Sequence, residues 1–154
     1  MRTIRVGKVA QGILLAACTA AILVLTLLVQ GRPGVRTNLA PFEDLQRLSA
    51  LAARRGILSN VVLFAVAGIA GNLAMFAVWA YLGWKFLDAK GRSPWQNDGD
   101  VLLAGALFSV GIEAVQLFLP TRAADINDVF WNVLGTLTGV VLAHAGSFLR
   151  LDWD

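Results

Sequence analysis

Between Ile57 and Leu87 the chain runs for 31 residues with a single charged side chain, Lys85. A helix needs only about 20 apolar residues to cross a bilayer. A chain of 154 residues offers no water-soluble core large enough to hide such a run. Three other apolar stretches accompany it, Val9–Val29, Val101–Leu119 and one from Asp128 to about residue 145. Only 15% of the residues are charged, against about a quarter in soluble domains. The pattern predicts an all-α polytopic membrane protein. Its expected form is a single domain over residues 1–154, a four-transmembrane-helix bundle with spans near 9–29, 64–86, 101–119 and 128–145.

The first run has the basic flank of a signal peptide in Arg2, Arg5 and Lys8. Its length and the Gln30-Gly31-Arg32-Pro33 that follows, which lacks a small-residue cleavage pattern, favour an uncleaved span. The second run is longer than one span needs. With Asn60, Gly68, Gly71 and Asn72 in its first half, it reads as one helix that either begins before the hydrocarbon or kinks near Gly68–Asn72. Residues 30–56 are the long polar stretch. Within it Phe42, Leu45, Leu48, Leu51 and Ala52 recur at helical spacing, so residues 41–54 read as a short amphipathic helix lying in the interface, with Pro41 suited to its first turn. Residues 85–100 read as a polar loop broken by Gly91, Pro94 and Gly99, and Pro120 stops the third span.

Several classes of function are disfavoured. The net charge of +3 is spread over both ends and every loop, which argues against nucleic acid as a partner. Lone Cys18 excludes an internal disulfide and reads as packing or lipid-facing. No paired histidines, nucleophile elbow or phosphate-binding glycine loop is present, and no metal or cofactor is expected. His144 reads as an interface histidine standing alone. Basic residues divide almost evenly between the two sides of the membrane. The cluster before the first span favours both termini in the cytoplasm.

Alternating spans bring one set of polar residues to one end of the bundle. Asn72 lies near the start of span two, and Glu113 and Gln116 share a face near the end of span three. Arg122, Asp125, Asp128 and Asn132 cover the turn and the first coil of span four, and Asn38 lies in the loop on the same side. Asp125, Asp128, Asn132, Gly135 and Gly139 are spaced by three and four, which makes one helical stripe. A charge near membrane depth costs about 2.5–3.5 kcal/mol on insertion scales, so these carboxylates should face inward, with Arg122 the nearest cation in sequence. Singly, each has a plain structural reading: Asp125 and Asp128 as helix caps, the amides as interhelical hydrogen bonds, and Gly135 with Gly139 as close packing. Their convergence points to a polar site.

The run from Glu113 to Gly139 resembles the signature of the VanZ-like membrane proteins. That signature reads E-x-x-Q, then R-x-x-D-x-x-D-x-x-x-N-x-x-G-x-x-x-G, and Glu113, Gln116, Arg122, Asp125, Asp128, Asn132, Gly135 and Gly139 match it position by position. Asn38-Leu39-Ala40-Pro41-Phe42 is similar to the family's N-L-x-P-F element. Gly71-Asn72 with Phe76 is similar to its G-N-x-x-x-F element. The chain departs from the family at Val78 and Ala80, near places where a proline and a glycine are usual.

The resemblance implies a multi-pass protein of the bacterial cytoplasmic membrane, acting in the cell envelope. It also implies lowered susceptibility to lipoglycopeptide antibiotics such as teicoplanin. The expected activity is binding of an amphiphilic or lipid-linked ligand, a membrane lipid, an envelope precursor or the glycopeptide, at the polar mouth. Arg122 would meet an anionic group there, and Glu113, Asp125, Asp128, Asn38, Asn72, Gln116 and Asn132 would orient it and accept ligand donors. Two alternatives stay open. One is an enzyme acting on lipid headgroups, with Glu113, Asp125 or Asp128 as catalytic candidates. The other is a purely structural partner subunit.

Overall fold

The computed structural model describes residues 7–28, 37–88 and 91–148, with side chains to residue 145. The expectations placed on Arg2, Arg5, Val29 and the Gln30-Gly31-Arg32-Pro33 stretch lie outside the described residues.

Five α-helices make up the described chain. Helix α1 covers Lys8–Leu23 and continues into a π-wound segment, Val24–Leu28. Helix α2 covers Glu43–Arg55, α3 Asn60–Asp88, α4 Pro94–Gln116 and α5 Ile126–Phe148. Three stretches are long and apolar enough to cross a membrane: Lys8–Leu28, Asn60–Asp88 and Ile126–Ala145. The expected fourth is corrected here, for α4 is not among them. Asn97, Asp98, Asp100, Ser109, Glu113 and Gln116 interrupt its apolar surface. Several of these, Asn97, Ser109, Glu113 and Gln116, are buried against the other helices, so α4 owes its place to polar packing as well as to hydropathy.

The loop expected over residues 85–100 is also shorter than the sequence suggested. Helix α3 runs on to Asp88, and α4 begins at Pro94. A proline lacks only a donor that the first helical turn leaves free, and its fixed φ suits that position. Gly91, at φ 71°, makes the bend between them. Helix α3 runs through Gly68 and Asn72 as one continuous helix, so the long run is a single helix.

Helices α3 and α5 form the closest pair. A Cβ at Gly135 would overlap the backbone carbonyl of Leu73, and one at Gly139 would overlap that of Ala77. The two bare backbones therefore let the helices touch, as small residues do in membrane packing. Helix α4 packs antiparallel to α5, placing Ser109 opposite Asn132 and Gly105 against Thr136. Two apolar clusters fill the bundle. One joins Ala80, Trp84, Val101, Val140 and Ala143. The other joins Ile22, Phe76 and Ile112, with Cys18 half-buried against it. Elsewhere large side chains face outward, Phe64 at 80% and Leu107 at 63% exposure, the surface expected where lipid is the solvent.

His144 does not stand alone, as the sequence suggested. Its Nε2 lies 2.9 Å from Asp98 Oδ1, the same oxygen that accepts the Trp84 indole N–H at 2.7 Å. This contact ties α3, α4 and α5 together at the end where α4 begins. Its partner comes from 46 residues earlier in the chain, a separation that local spacing does not reveal.

Candidate functional site

The opposite end of the bundle gathers the polar residues. Asp125 stands immediately before α5, and its Oδ1 accepts the N–H of Asn127 at 2.9 Å. That is an N-cap, which satisfies one of the donors a helix start leaves open. The same carboxylate accepts from Asn38 Nδ2 at 3.2 and 3.3 Å. The two segments also pair through their backbones, with Asn38 N donating to Ala124 O and Ile126 N to Asn38 O. The N–H of Asp125 donates to Glu113 Oε2 at 2.7 Å, which brings α4 onto the same turn.

Asn127 completes this junction. It is 3% exposed, and its Oδ1 accepts the N–H of Phe42 while its Nδ2 donates to Ala40 O. Phe42 takes the left-handed φ of 61°, costly for a bulky residue. Its ring packs edge-on against Phe130 at 5.2 Å. Asn127 and Phe130 together hold this bend, and α2 therefore starts after Pro41 and Phe42, later than the sequence suggested. The sequence offered one signal for Asn127, the Asp-x-Asn spacing of a cap and its N2 residue. The long-range contacts to residues 40 and 42 had none.

Below the junction the stripe on α5 meets two helices. Asn72 Nδ2 donates to Asp128 Oδ1 at 2.6 Å, and Asn132 Nδ2 donates to Ser109 Oγ at 2.9 Å. Gln116 reaches the π-wound end of the first span, donating to Thr26 O at 3.0 Å. Arg122 donates to Leu25 O at 2.6 Å. Among the described residues no ion pair joins Arg122 to Glu113, Asp125 or Asp128. Asn38, Glu113 and Asp125 thus form one connected group, and Asn72 with Asp128 a second. Gln116 and Arg122 are committed to the first span.

Beside the second group lies an open cleft of about 430 Å³ between α2, α3 and the start of α5. Asp44, Arg47, Asn72 and Asp128 form its polar side, and Leu48, Leu51, Ala65, Gly68 and Ile69 its apolar side. Sequence reasoning missed Asp44 and Arg47, because nothing in the spacing of α2 tells which helix it lies against. Arg47 is held by Glu43, with Nε and Nη2 at 2.9 and 2.6 Å from the same carboxylate oxygen. Burial pushes the Asp44 carboxyl above its usual range, the nearby Asp125 charge adds to this, and Arg47 opposes it. Leu39, Phe42, Leu45, Ile57 and Leu58 are exposed on α2 and its flanks, an apolar surface suited to the bilayer interface. Among the described residues no group of histidine, cysteine and acidic side chains is arranged to hold a metal ion.

The family model described as VanZ/LLP1 matches residues 13–149. No curated protein and no solved structure matches the chain.

Proposed function

The chain belongs to the VanZ/LLP1 family and is a multi-pass membrane protein, and from that premise we propose that it is a binding module of the bacterial cell envelope. The cleft between α2, α3 and α5 takes an amphiphilic or lipid-linked ligand, its chains along Leu48, Leu51, Ala65 and Ile69 and its headgroup toward Asp44, Asn72 and Asp128. The observation that carries this reading is the two-sided lining of an open cleft beside an amphipathic helix. Binding sites are mostly apolar with a few placed polar groups, and a cleft reached from the interface suits a molecule that is itself half apolar. The junction of Asn38, Glu113, Asp125 and Asn127 serves as its frame, holding α2 against the bundle. Sequestering or excluding a lipoglycopeptide such as teicoplanin is the cellular role that family membership suggests. Both termini lie in the cytoplasm in this reading, which puts the cleft at the outer face.

Susceptibility to teicoplanin and to vancomycin, measured in a sensitive host at matched membrane levels of protein, tests the role. Ile69→Trp fills the apolar side of the cleft without touching the junction. The reading expects the unaltered protein to protect selectively against teicoplanin, and the variant, folded and inserted, to lose that protection. Protection that survives Ile69→Trp would move the site out of the cleft.

A further inference from the structure

Helix α2 does not complete its own apolar side within the bundle. None of its side chains is buried. Leu48, Leu51 and Ala52 are half-buried, and Leu45 is exposed. Just past its last turn Ile57 and Leu58 stand 73% and 84% exposed, and exposed Leu63 and Phe64 continue this apolar surface onto α3. An amphipathic helix with such flanks needs a second apolar phase to rest on.

The length of α3 says where that phase lies. Its 29 residues reach about 44 Å at 1.5 Å per residue. A bilayer has about 30 Å of hydrocarbon and about 40–45 Å with its headgroup layers. When α3 spans, the corner joining α2 to α3, residues 56–59, therefore lies among headgroups with hydrocarbon just beneath.

Charge at this corner has one sign. Arg54 and Arg55 are exposed, and among the described residues neither has an ion pair or a side-chain hydrogen bond. The acids of α2, Glu43 and Asp44, stand in its first turn. That is about 15 Å away along the helix, beyond a Debye length of about 10 Å, and Glu43 is already engaged by Arg47. Basic residues in a last turn have a plain role as partners of the helix dipole. That role explains their sign but leaves Ile57 and Leu58 beside them uncovered. A small soluble anion would leave them uncovered too, whereas a lipid surface with negative headgroups meets both features.

We propose that the corner between α2 and α3 docks on anionic phospholipid, with Arg54 and Arg55 against the headgroup phosphates and Ile57 and Leu58 in the acyl boundary, and that this contact holds α2 down on the membrane. Neither arginine lines the cleft, so the proposal stands apart from the ligand assigned there.

The full-length chain is reconstituted in nanodiscs of phosphatidylcholine alone or of phosphatidylcholine mixed with phosphatidylglycerol, and backbone amide exchange is followed over residues 43–58. A basic residue near an anionic surface contributes about fivefold, so exchange should be about twenty-five-fold slower in the mixed nanodiscs at low salt. The gap should narrow to about twofold or less near 0.5 M salt, where screening is strong. Arg54→Gln combined with Arg55→Gln should abolish the gap while leaving exchange in phosphatidylcholine as it is in the unaltered protein. Arg54→Lys combined with Arg55→Lys should keep most of it. Equal exchange in the two nanodiscs, or a gap that survives the glutamine pair or high salt, would overturn the proposal. So would faster exchange of the glutamine pair in phosphatidylcholine alone, because the arginines would then hold α2 through contacts within the protein.

Discussion

Gly135→Ala adds one methyl group at the point where α5 touches α3, and the outcome depends on two opposing effects. In a helix interior, replacing glycine by alanine stabilises by about 0.5–1 kcal/mol through the backbone entropy that glycine loses on folding. Against this, the new Cβ would stand 3.0 Å from the Leu73 Cα and closer still to its carbonyl oxygen, where carbon contacts normally lie at about 3.5–4.0 Å. The obstacle is backbone, which cannot rotate aside, so α3 and α5 must separate by roughly half an ångström or more along their shared face. Overpacking of this kind costs about 1–3 kcal/mol, and set against the glycine-to-alanine gain it leaves a net loss centred on about 1 kcal/mol. For a chain of this size that corresponds to a fall in Tm of roughly 2–4 °C. Gly71→Ala is the control, because a Cβ there meets nothing within 4 Å, and it should hold or raise Tm. Thermal unfolding of the purified protein in detergent, followed by helical circular dichroism, compares the two. A Gly135→Ala protein that melts with or above the unaltered one would refute the direct backbone contact.

Three other perturbations follow from the hydrogen bonds. Asn127→Ala removes the acceptor for Phe42 N–H and the donor to Ala40 O; it should cost about 1–3 kcal/mol and free residues 37–42, seen as faster proteolysis between the first span and α2. Ser109→Ala strands Asn132 Nδ2, with an expected loss of about 0.6–2 kcal/mol, whereas Ser109→Ala combined with Asn132→Leu should recover much of it, as judged by a double-mutant comparison of Tm. Asp98→Ala takes away the shared acceptor of Trp84 and His144 and should change the Trp84 emission while lowering Tm; His144→Ala should move both less, because the bond from Trp84 to Asp98 remains.

The sequence by itself determined the class of the molecule and the contents of its polar end. Uninterrupted apolar length leaves a chain few choices, since each backbone donor and acceptor in lipid must be satisfied within a helix, so α1, α3 and α5 were legible as spans. The spacing of three and four along α5 placed Asp128, Asn132, Gly135 and Gly139 on one face, because helical period alone fixes that. The family signature likewise marked Asn38, Asn72, Glu113, Gln116, Arg122 and Asp125 as belonging together. What each of them touches was decided only by the tertiary structure. Asp125, legible as a cap, is also joined to Asn38, 87 residues away, Arg122 went to Leu25, and His144 found Asp98. The polar side chains of α4, among them Asp98, Ser109 and Gln116, are the ones that hold it against α3, α5 and the first span. The cleft depends on α2 folding back over α3, and that docking is fixed by Asn127 and Phe130 on another helix. Periodicity describes which side chains share a face, while the partner of that face is set by contacts between segments far apart in the chain.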